Sequence, residues 1–362
     1  MIITRTPLRI SFFGGGTDYP VWYREFGGAV LATTIDKCCY ITCRWQPPFF
    51  EYHSRVSYTK VENVLTNSAI QHPSVRACLE FLKMKEGIEI HHVADLPARA
   101  GLGTSSAFTV GLLLALYALK EQMRDKAALA ADAIHVEQEI LGEAVGSQDQ
   151  VSAAYGGFNR IEFCSDNKIA VNRILMPPPR LSELEQNLIL FFTGFSRTAS
   201  TIAQEQIRIT PQRTRELQLM REMVDEAEAI VKSSGSLLDF GHLLHESWKL
   251  KRSLTQNISN PSLDEIYEAG RSAGALGGKL LGAGGGGFML FFVPPERRAE
   301  LRKKLRQLLC VPFRFSTTGS QVIVYEPEQP YDRSLTDERF EVYGQNTDAG
   351  QEEGAYRCKL EV

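Results

Sequence analysis

A glycine-rich turn with three hydroxyl side chains is the segment of this sequence best suited to bind phosphate. Gly101-Leu102-Gly103 is followed directly by Thr104-Ser105-Ser106 and then by a long apolar run. The two glycines permit positive φ and a close approach of the backbone to a ligand. A helix that begins there aims its unpaired N–H groups and the positive end of its dipole at one point. The alternative is an ordinary buried helix with a tight entry turn.

A second glycine run, at residues 282–287, predicts that two parts of the chain approach each other closely. It fits the pattern G-x-G-x-x-G, but residues 288–293 form an apolar strand pattern where a dinucleotide-binding fold requires a helix. The turn at Gly101 also lacks the Gly-Lys-Ser/Thr ending of a P-loop. We therefore predict a hairpin whose backbone lies against another segment or a ligand, because an ordinary turn needs only one or two glycines.

Two carboxylates are candidates for proton transfer or cation binding. Glu137 lies in a predicted helix over 126–139, and Asp149 lies twelve positions later in the loop expected after it. A carboxylate near a phosphate site can accept the proton of an attacking hydroxyl or hold a cation. An exposed acid on a loop more often has no such role, so neither residue identifies a site alone.

The elements that must position these residues divide the chain at Pro177-Pro178-Pro179, because three prolines cannot continue a helix or strand. We predict a first domain over 1–176, a second over 180–326, and a tail over 327–362 that is poorly ordered or lies on the surface. Strands are predicted at 2–5, 8–13, 29–43, 88–93, 187–192, 288–293, 313–315 and 321–325, and helices at 73–85, 106–120, 126–139, 199–233, 237–253, 262–273 and 296–308.

Composition indicates a globular protein that binds neither nucleic acid nor membrane. The 362 residues carry a net charge of −3, and 43% of them are apolar. The longest apolar stretch, 108–119, is shorter than the roughly 20 residues that span a bilayer. The seven cysteines form no CxxC pair, and Cys39 and Cys43 share one face of a strand, so structural thiols and a reducing cytoplasm are expected. A monomer and a homodimer both remain open.

In their order, three segments resemble the motifs of the GHMP superfamily, which includes galactokinase, homoserine kinase and mevalonate kinase. Residues 7–19, with Phe-Gly-Gly-Gly-Thr-Asp-Tyr, are similar to the first motif, residues 97–107 to the second and residues 279–288 to the third. The resemblance covers residues 1 to about 325. It implies an α+β, two-domain architecture, with an N-terminal domain like domain 2 of ribosomal protein S5 and a ferredoxin-like C-terminal domain. It also implies ATP and Mg²⁺ as cofactors.

The same resemblance implies the nucleotide and metal residues. The ATP phosphates would be surrounded by Pro97, Gly101, Leu102, Gly103, Thr104, Ser105 and Ser106. Ser105 and Glu137 would hold Mg²⁺. Whether Ser105 or Ser106 would be the metal ligand stays open, because Thr104 occupies the position of the family's first serine.

Catalytic and acceptor-binding roles follow in the same way. Asp149 would accept or orient the acceptor proton, and Arg9 would stabilise charge on the transferred phosphoryl group. The acceptor would be bound by Asp18 with Gly16 and Thr17, and covered by Gly284, Gly285 and Gly286. Independently of the resemblance, Arg197 lies between a buried strand pattern and a predicted helix N-terminus. We hypothesise that it binds the phosphate of a phosphorylated sugar. Further candidates are Lys249, Lys251 and Arg252 on the predicted helix around Trp248, although such side chains more often lie solvated on the surface.

The first motif also bears on the acceptor. Galactokinases carry Glu-His before Thr-Asp-Tyr, whereas this chain has Gly15-Gly16. The glycine-rich version resembles that of bacterial heptose kinases, which implies phosphorylation of the anomeric hydroxyl of a heptose 7-phosphate on the way to GDP-heptose. The alternatives are a kinase for another sugar, such as fucose or a galactose-like sugar, and a non-catalytic sensor of sugar and ATP. The presence of Arg9, Ser105, Glu137 and Asp149 together argues against the sensor.

Overall fold

The computed structural model describes residues 1–98, 100–194 and 199–331, so Arg197 and the tail beyond residue 331 lie outside the described residues. The strands are β1 (Ile2–Phe13), β2 (Gly28–Trp45), β3 (Ser54–Ser57), β4 (Val61–Val64), β5 (Ile88–Ala94), β6 (Phe158–Phe163), β7 (Ile169–Arg173), β8 (Leu188–Gly194), β9 (Gly277–Leu280), β10 (Gly287–Phe292), β11 (Leu309–Val311), β12 (Phe315–Ser316) and β13 (Gln321–Tyr325). The α-helices are α1 (Pro20–Phe26), α2 (Pro73–Phe81), α3 (Thr104–Leu119), α4 (Lys126–His135), α5 (Gln148–Tyr155), α6 (Pro178–Asn187), α7 (Ala199–Ile209), α8 (Thr214–Lys232), α9 (Leu238–Leu254), α10 (Pro261–Ser272) and α11 (Arg298–Lys304). Within these ranges no helix is long and apolar enough to cross a membrane.

A mixed sheet forms the first half of the molecule, with β13, β1, β2, β5, β3 and β4 in that order. Strand β2 is long enough to take two partners on one edge. Its first part pairs with β6 from Gly28 to Thr33, and its second part pairs with β5 from Cys39 to Trp45. Helix α3 is apolar around almost its whole circumference and therefore lies buried, packed against β1 and β2. This packing fixes the start of α3 relative to β1.

The second half is built on an antiparallel sheet of order β11-β8-β10-β9. Strand β8, the first of the four along the chain, lies second in the sheet, and β11, the last along the chain, lies beside it at the edge. This is the ferredoxin-like strand order. Phe191 of β8 and Phe291 of β10 are buried between this sheet and its helices. The predicted α+β fold with a ferredoxin-like second domain is confirmed.

The chain returns to the first sheet after the second is complete. Strand β13 pairs with β1, and β12 pairs with β2. The sequence division at 180–326 had placed both strands in the second domain, and their pairing corrects that assignment. A strand of two to five residues carries no local signal for its partner, because edge pairing is decided by the free hydrogen-bonding groups of a distant strand.

The proline run also differs in detail from expectation. Pro178 occupies the first turn of α6, where a proline has no hydrogen bond to lose, so the run starts a helix instead of only separating two elements. The predicted helix over 199–233 is interrupted at Pro211 by a short 3₁₀ turn and becomes α7 and α8. The division of the chain near residue 177 remains a prediction.

Candidate active site

The glycine turn, residues 101–106, forms the N-terminus of α3 as the sequence predicts. Gly103 is the N-cap residue with φ +72°, and Gly101 has φ +84°. A glycine cap has no side chain to bond the first N–H groups of the helix, so these groups remain available to an anion. The turn is fixed to β1 by a hydrogen bond of 3.0 Å from the backbone N–H of Arg9 to the carbonyl oxygen of Leu102.

Arg9 and Asp149 form a two-pronged ion pair beside this turn. Nε and Nη2 of Arg9 donate to the two carboxylate oxygens of Asp149, each at 2.7 Å. Nη1 of Arg9 donates to the Gly101 carbonyl oxygen at 2.6 Å, so one guanidinium joins the carboxylate to the glycine turn. The Arg9 side chain is 6% exposed and that of Asp149 is 24% exposed, so the carboxylate is the open member of the pair.

Asp149 lies in the first turn of α5, and the prediction of a loop at this position is wrong. Helix α5 has only eight residues, too few for a clear hydrophobic period, and packs against α3 and α4. The N-terminus of a helix favours a carboxylate through its dipole. The short helix therefore gives Asp149 a fixed position that a loop would not.

Glu137 is fully buried on a π-helical turn, Val136–Ile140, that follows α4. The Ser106 hydroxyl donates to Oε2 at 2.8 Å, and the Gln150 amide donates to the same oxygen. Oε1 has no hydrogen-bond partner among the described residues. The Thr109 hydroxyl lies near this carboxyl and lowers its pKa, as the Ser106 and Gln150 donors do. Burial raises the pKa of Glu137 to about 7. Such turns often occur at functional sites, and this one brings a carboxylate to the start of α3.

This group of oxygens fits a divalent cation held largely by phosphate. A buried carboxylate oxygen without a partner requires either a proton or a cation. In the described ranges, no cluster of three or more His, Cys, Asp or Glu side chains could hold an ion without further ligands. Magnesium needs only one or two protein ligands when phosphate oxygens complete its shell. Ser106 contacts Glu137, whereas Ser105 is exposed, so either hydroxyl stays a candidate ligand beside Glu137.

Asp18 is buried and bonded to backbone amides. Its Oδ1 accepts from the Gly16 N–H at 2.9 Å, and its Oδ2 accepts from the Gln148 N–H at 3.4 Å. Burial raises the pKa of Asp18, and the nearby charge of Asp149 adds to that shift while the backbone hydrogen bonds oppose it. The Thr17 hydroxyl donates to the Gly14 and Ala29 carbonyl oxygens. Both side chains thus hold the first motif in shape, and their contact with an acceptor remains a prediction.

The glycine hairpin, residues 281–286 between β9 and β10, lies against the glycine turn from the other half, as predicted. A Cβ atom on Gly282, which has φ +78°, would lie 2.5 Å from the Gly101 Cα. We call this contact the seam. Gly284 lies against the backbone of Ile258, and the Gly285 N–H donates to the Ile258 carbonyl oxygen at 3.0 Å. The cover that Gly284, Gly285 and Gly286 would form over an acceptor remains a prediction.

Two lysines are buried at the seam: Lys251, one of the basic residues considered for an acceptor phosphate, and Lys279, to which no role was assigned. Lys251 of α9 and Lys279 of β9 are 7% and 4% exposed. The Lys279 ammonium donates to the Phe12 carbonyl oxygen at 2.8 Å and so joins the second half to β1. Lys251 follows Trp248 and Leu244 at helical spacing on the buried face of α9, and this period was the signal available in the sequence.

Two halves meet at paired glycine loops, with a carboxylate–guanidinium pair beside a helix N-terminus, and this arrangement suits phosphoryl transfer to a small molecule. Residues 72–157 match the family model described as GHMP kinases N terminal domain, and residues 223–309 match GHMP kinases C terminal. The chain is 32% identical over 321 residues to D-glycero-alpha-D-manno-heptose 7-phosphate kinase of Campylobacter jejuni, which covers 84% of this chain and 93% of that protein. It is 28% identical to mevalonate kinase of Pyrococcus abyssi, over 82% of this chain and 90% of that one.

Comparison with solved structures agrees on the fold. A D-glycero-D-manno-heptose 1-phosphate kinase from Bacteroides thetaiotaomicron superposes with a TM-score of 0.73 at 23% identity, covering 92% of this chain and all of that one. The chain belongs to the GHMP kinases. It is an enzyme that transfers a phosphoryl group to an alcohol acceptor.

The close contact of Gly282 with Gly101 at the seam leads to a first testable prediction. We expect Gly282→Ala to lower kcat/KM by about 10²-fold, because the new methyl group overlaps the Gly101 backbone and shifts one half by an ångström or so. Gly142→Ala is the matched control, since Gly142 also has positive φ but its Cβ would meet no atom within 4 Å. Steady-state kinetics and thermal melting of both variants provide the measurement. Equal activity losses in the two variants would show that backbone strain, and not the seam, is responsible.

Proposed function

We propose that this protein is an ATP-dependent sugar kinase that phosphorylates the anomeric hydroxyl of D-glycero-D-manno-heptose 7-phosphate. The observation that carries the proposal is the Arg9–Asp149 pair, held beside the N-terminus of α3 with the carboxylate open to solvent. The named activity of the Campylobacter relative supports the acceptor. The product is a 1,7-bisphosphate, formed in the cytoplasm on a route to GDP-heptose.

In this mechanism the backbone N–H groups of residues 101–106 bind the nucleotide phosphates. The acceptor oxygen attacks the γ-phosphorus, the bond from phosphorus to the bridging oxygen breaks, and ADP leaves. Asp149 takes the proton of the acceptor hydroxyl, and Arg9 stabilises the charge on the transferring oxygens. Glu137, with the Ser105 or Ser106 hydroxyl, would hold Mg²⁺, which would neutralise charge on the nucleotide phosphates when bound.

A narrow crevice, with room for about one water molecule, marks the surface next to the first motif. It lies between that motif and the start of α8, and its lining includes Gly16, Tyr19 and Arg213. Arg213 pairs with Glu216 through Nη1 at 3.1 Å, and a guanidinium has further N–H groups to offer a phosphate. We propose Arg213 as the phosphate ligand on this side, in addition to the earlier hypothesis for Arg197, which lies outside the described residues.

A coupled assay for ADP release over heptoses, hexoses and their phosphates tests the proposal. We expect heptose 7-phosphate to give the highest kcat/KM and the product to carry a phosphate on the anomeric carbon, as detected by phosphorus NMR. Turnover of another sugar in preference would overturn the acceptor assignment. ATP binding without ADP release on any sugar would support the sensor instead.

The phosphate ligand can be tested separately. We expect Arg213→Gln to raise KM for the sugar phosphate by about tenfold, the effect of losing one charged hydrogen bond, while KM for ATP stays constant. Arg215→Gln is the control, because Arg215 is exposed on the same helix and does not line the crevice. A parallel rise for the unphosphorylated sugar would argue against phosphate recognition by Arg213.

A further inference from the structure

Lys251 is a buried cation with hydrogen-bonding capacity to spare. Its ammonium group donates to the carbonyl oxygens of Leu280, at 3.4 Å, and Gly282. An ammonium group has three N–H donors, and these two carbonyls are the acceptors that the described residues provide. A buried donor left without a partner costs free energy comparable to a lost hydrogen bond. The third N–H is therefore available to an oxygen atom of a ligand.

The position of Lys251 mirrors that of Arg9 across the seam. Lys251 binds the carbonyl of Gly282, and Arg9 binds the carbonyl of Gly101. The two glycines are in direct backbone contact. Each half of the molecule thus directs one cation to the same point beside the glycine turn.

The charges at this point do not balance. The groups that face Lys251 are Arg9 from β1, Asp18 from the loop after β1, and Lys279 from β9. At Lys251 the repulsion from the Arg9 charge exceeds the attraction of the Asp18 carboxyl, so the positive charge of Lys251 lacks a sufficient counter-charge in the free protein. A buried charge without a counter-charge is unfavourable, and an anionic ligand would remove the imbalance.

We propose that Lys251 binds the phosphoryl group during its transfer, as the second half's counterpart of Arg9. The proposal rests on the proposed kinase function. The third N–H of Lys251 would donate to an oxygen of the transferring group, while its other two N–H groups hold the glycine hairpin at the seam. Lys279 instead acts as a tie between the halves, since its ammonium is directed to the Phe12 carbonyl behind the first motif.

A pH dependence follows from this placement. Burial lowers the pKa of Lys251 to about 8, and the charge of Arg9 lowers it further while that of Asp18 opposes the shift. In the free enzyme Lys251 therefore loses its charge as the pH rises through about 8. Arginine at this position would stay charged throughout.

The test compares Lys251→Met, Lys251→Arg and, as control, Lys249→Met, which removes an exposed lysine of the same helix paired with Glu246. We expect Lys251→Met to lower kcat by about 10²-fold, with the Kd for ATP nearly unchanged and the control fully active. We expect Lys251→Arg to recover part of kcat and to lose the fall in kcat/KM that wild type shows above about pH 8. Near-wild-type kcat in Lys251→Met, or an alkaline fall retained in Lys251→Arg, would overturn the proposal.

A second measurement does not depend on the acceptor. Calorimetry of ADP with aluminium fluoride, a mimic of the transferring group, should show binding about tenfold weaker in Lys251→Met than in wild type, with ADP alone bound equally. Equal binding of the mimic by Lys251→Met and wild type would refute the proposed role of Lys251. Wild-type ADP release on a sugar is scored independently, so failure of Lys251 and failure of the kinase assignment give different results.

Discussion

Asp149→Asn should lower kcat by about 10³-fold while leaving the Kd for ATP within about threefold of wild type. The amide keeps the shape of the side chain but cannot take the acceptor proton. Asparagine also offers one acceptor oxygen to Arg9, where the carboxylate accepts from both Nε and Nη2. Arg9 keeps its bond to the Gly101 carbonyl, so the glycine turn should hold its conformation.

Steady-state kinetics and calorimetric titration with ATP measure the two constants. Asp166→Asn serves as the control, because Asp166 is exposed and pairs only with the neighbouring Lys168 among the described residues. Arg9→Met combined with Asp149→Asn should cost far less than the product of the single effects, since the two residues act as one unit. Near-normal turnover in Asp149→Asn, or a loss of ATP binding equal to the loss of kcat, would refute the role of Asp149.

Glu137→Gln should lower kcat by at least about 10²-fold and raise the Mg²⁺ concentration needed for half-maximal activity by about tenfold. The amide removes the negative charge and places an N–H₂ group against donors from Ser106 and Gln150. Glu139→Gln, two positions along and exposed, is the control. Activity measured over a range of Mg²⁺ concentrations decides the matter, and an unchanged Mg²⁺ requirement would count against Glu137 as a ligand.

Glu137→Gln should also change how the stability of the protein depends on pH. The pKa of Glu137 is raised from 4.5 to about 7 by burial, so the folded protein binds this proton more tightly than the unfolded chain does. Without a cation, this carboxyl therefore makes the free energy of unfolding fall as the pH rises from about 4.5 to about 7, and the loss levels off above that. Mg²⁺ binds the ionised form and should stabilise the protein more at about pH 8 than at about pH 5. Thermal melting of Glu137→Gln should lack this pH-dependent gain.

Several features of the site were predictable because they depend on a few neighbouring residues. The two glycines and the apolar run after them predict a helix over 106–120 that begins at this turn, and α3 begins there, two residues earlier than predicted, at Thr104. Four consecutive glycines before an apolar strand predict a hairpin in close contact, and Gly282 meets Gly101. Positive φ, helix entry and burial of an apolar helix are local consequences of residue type.

Contacts between distant residues were not predictable in the same way. The partner of Arg9 lies 140 positions away, and the helix that holds Asp149 is too short to leave a hydrophobic period. Strands β12 and β13 carry no sign that they belong to the first sheet. Ser106, and not Ser105, contacts Glu137, because the twist of α3 and the π-helical turn after α4 set which hydroxyl faces the carboxylate.

The glycine segments and their order, by themselves, predicted phosphate binding between two parts of one polypeptide, and their resemblance to the GHMP kinases is confirmed. The tertiary structure decided which charges meet there. In the sequence Lys251 is one of several basic candidates and Lys279 has no assigned role, yet packing of α9 and β9 against β1 buries both amines beside Arg9. Local sequence fixes backbone conformation, whereas burial and charge balance arise only when distant segments exclude water from the same volume.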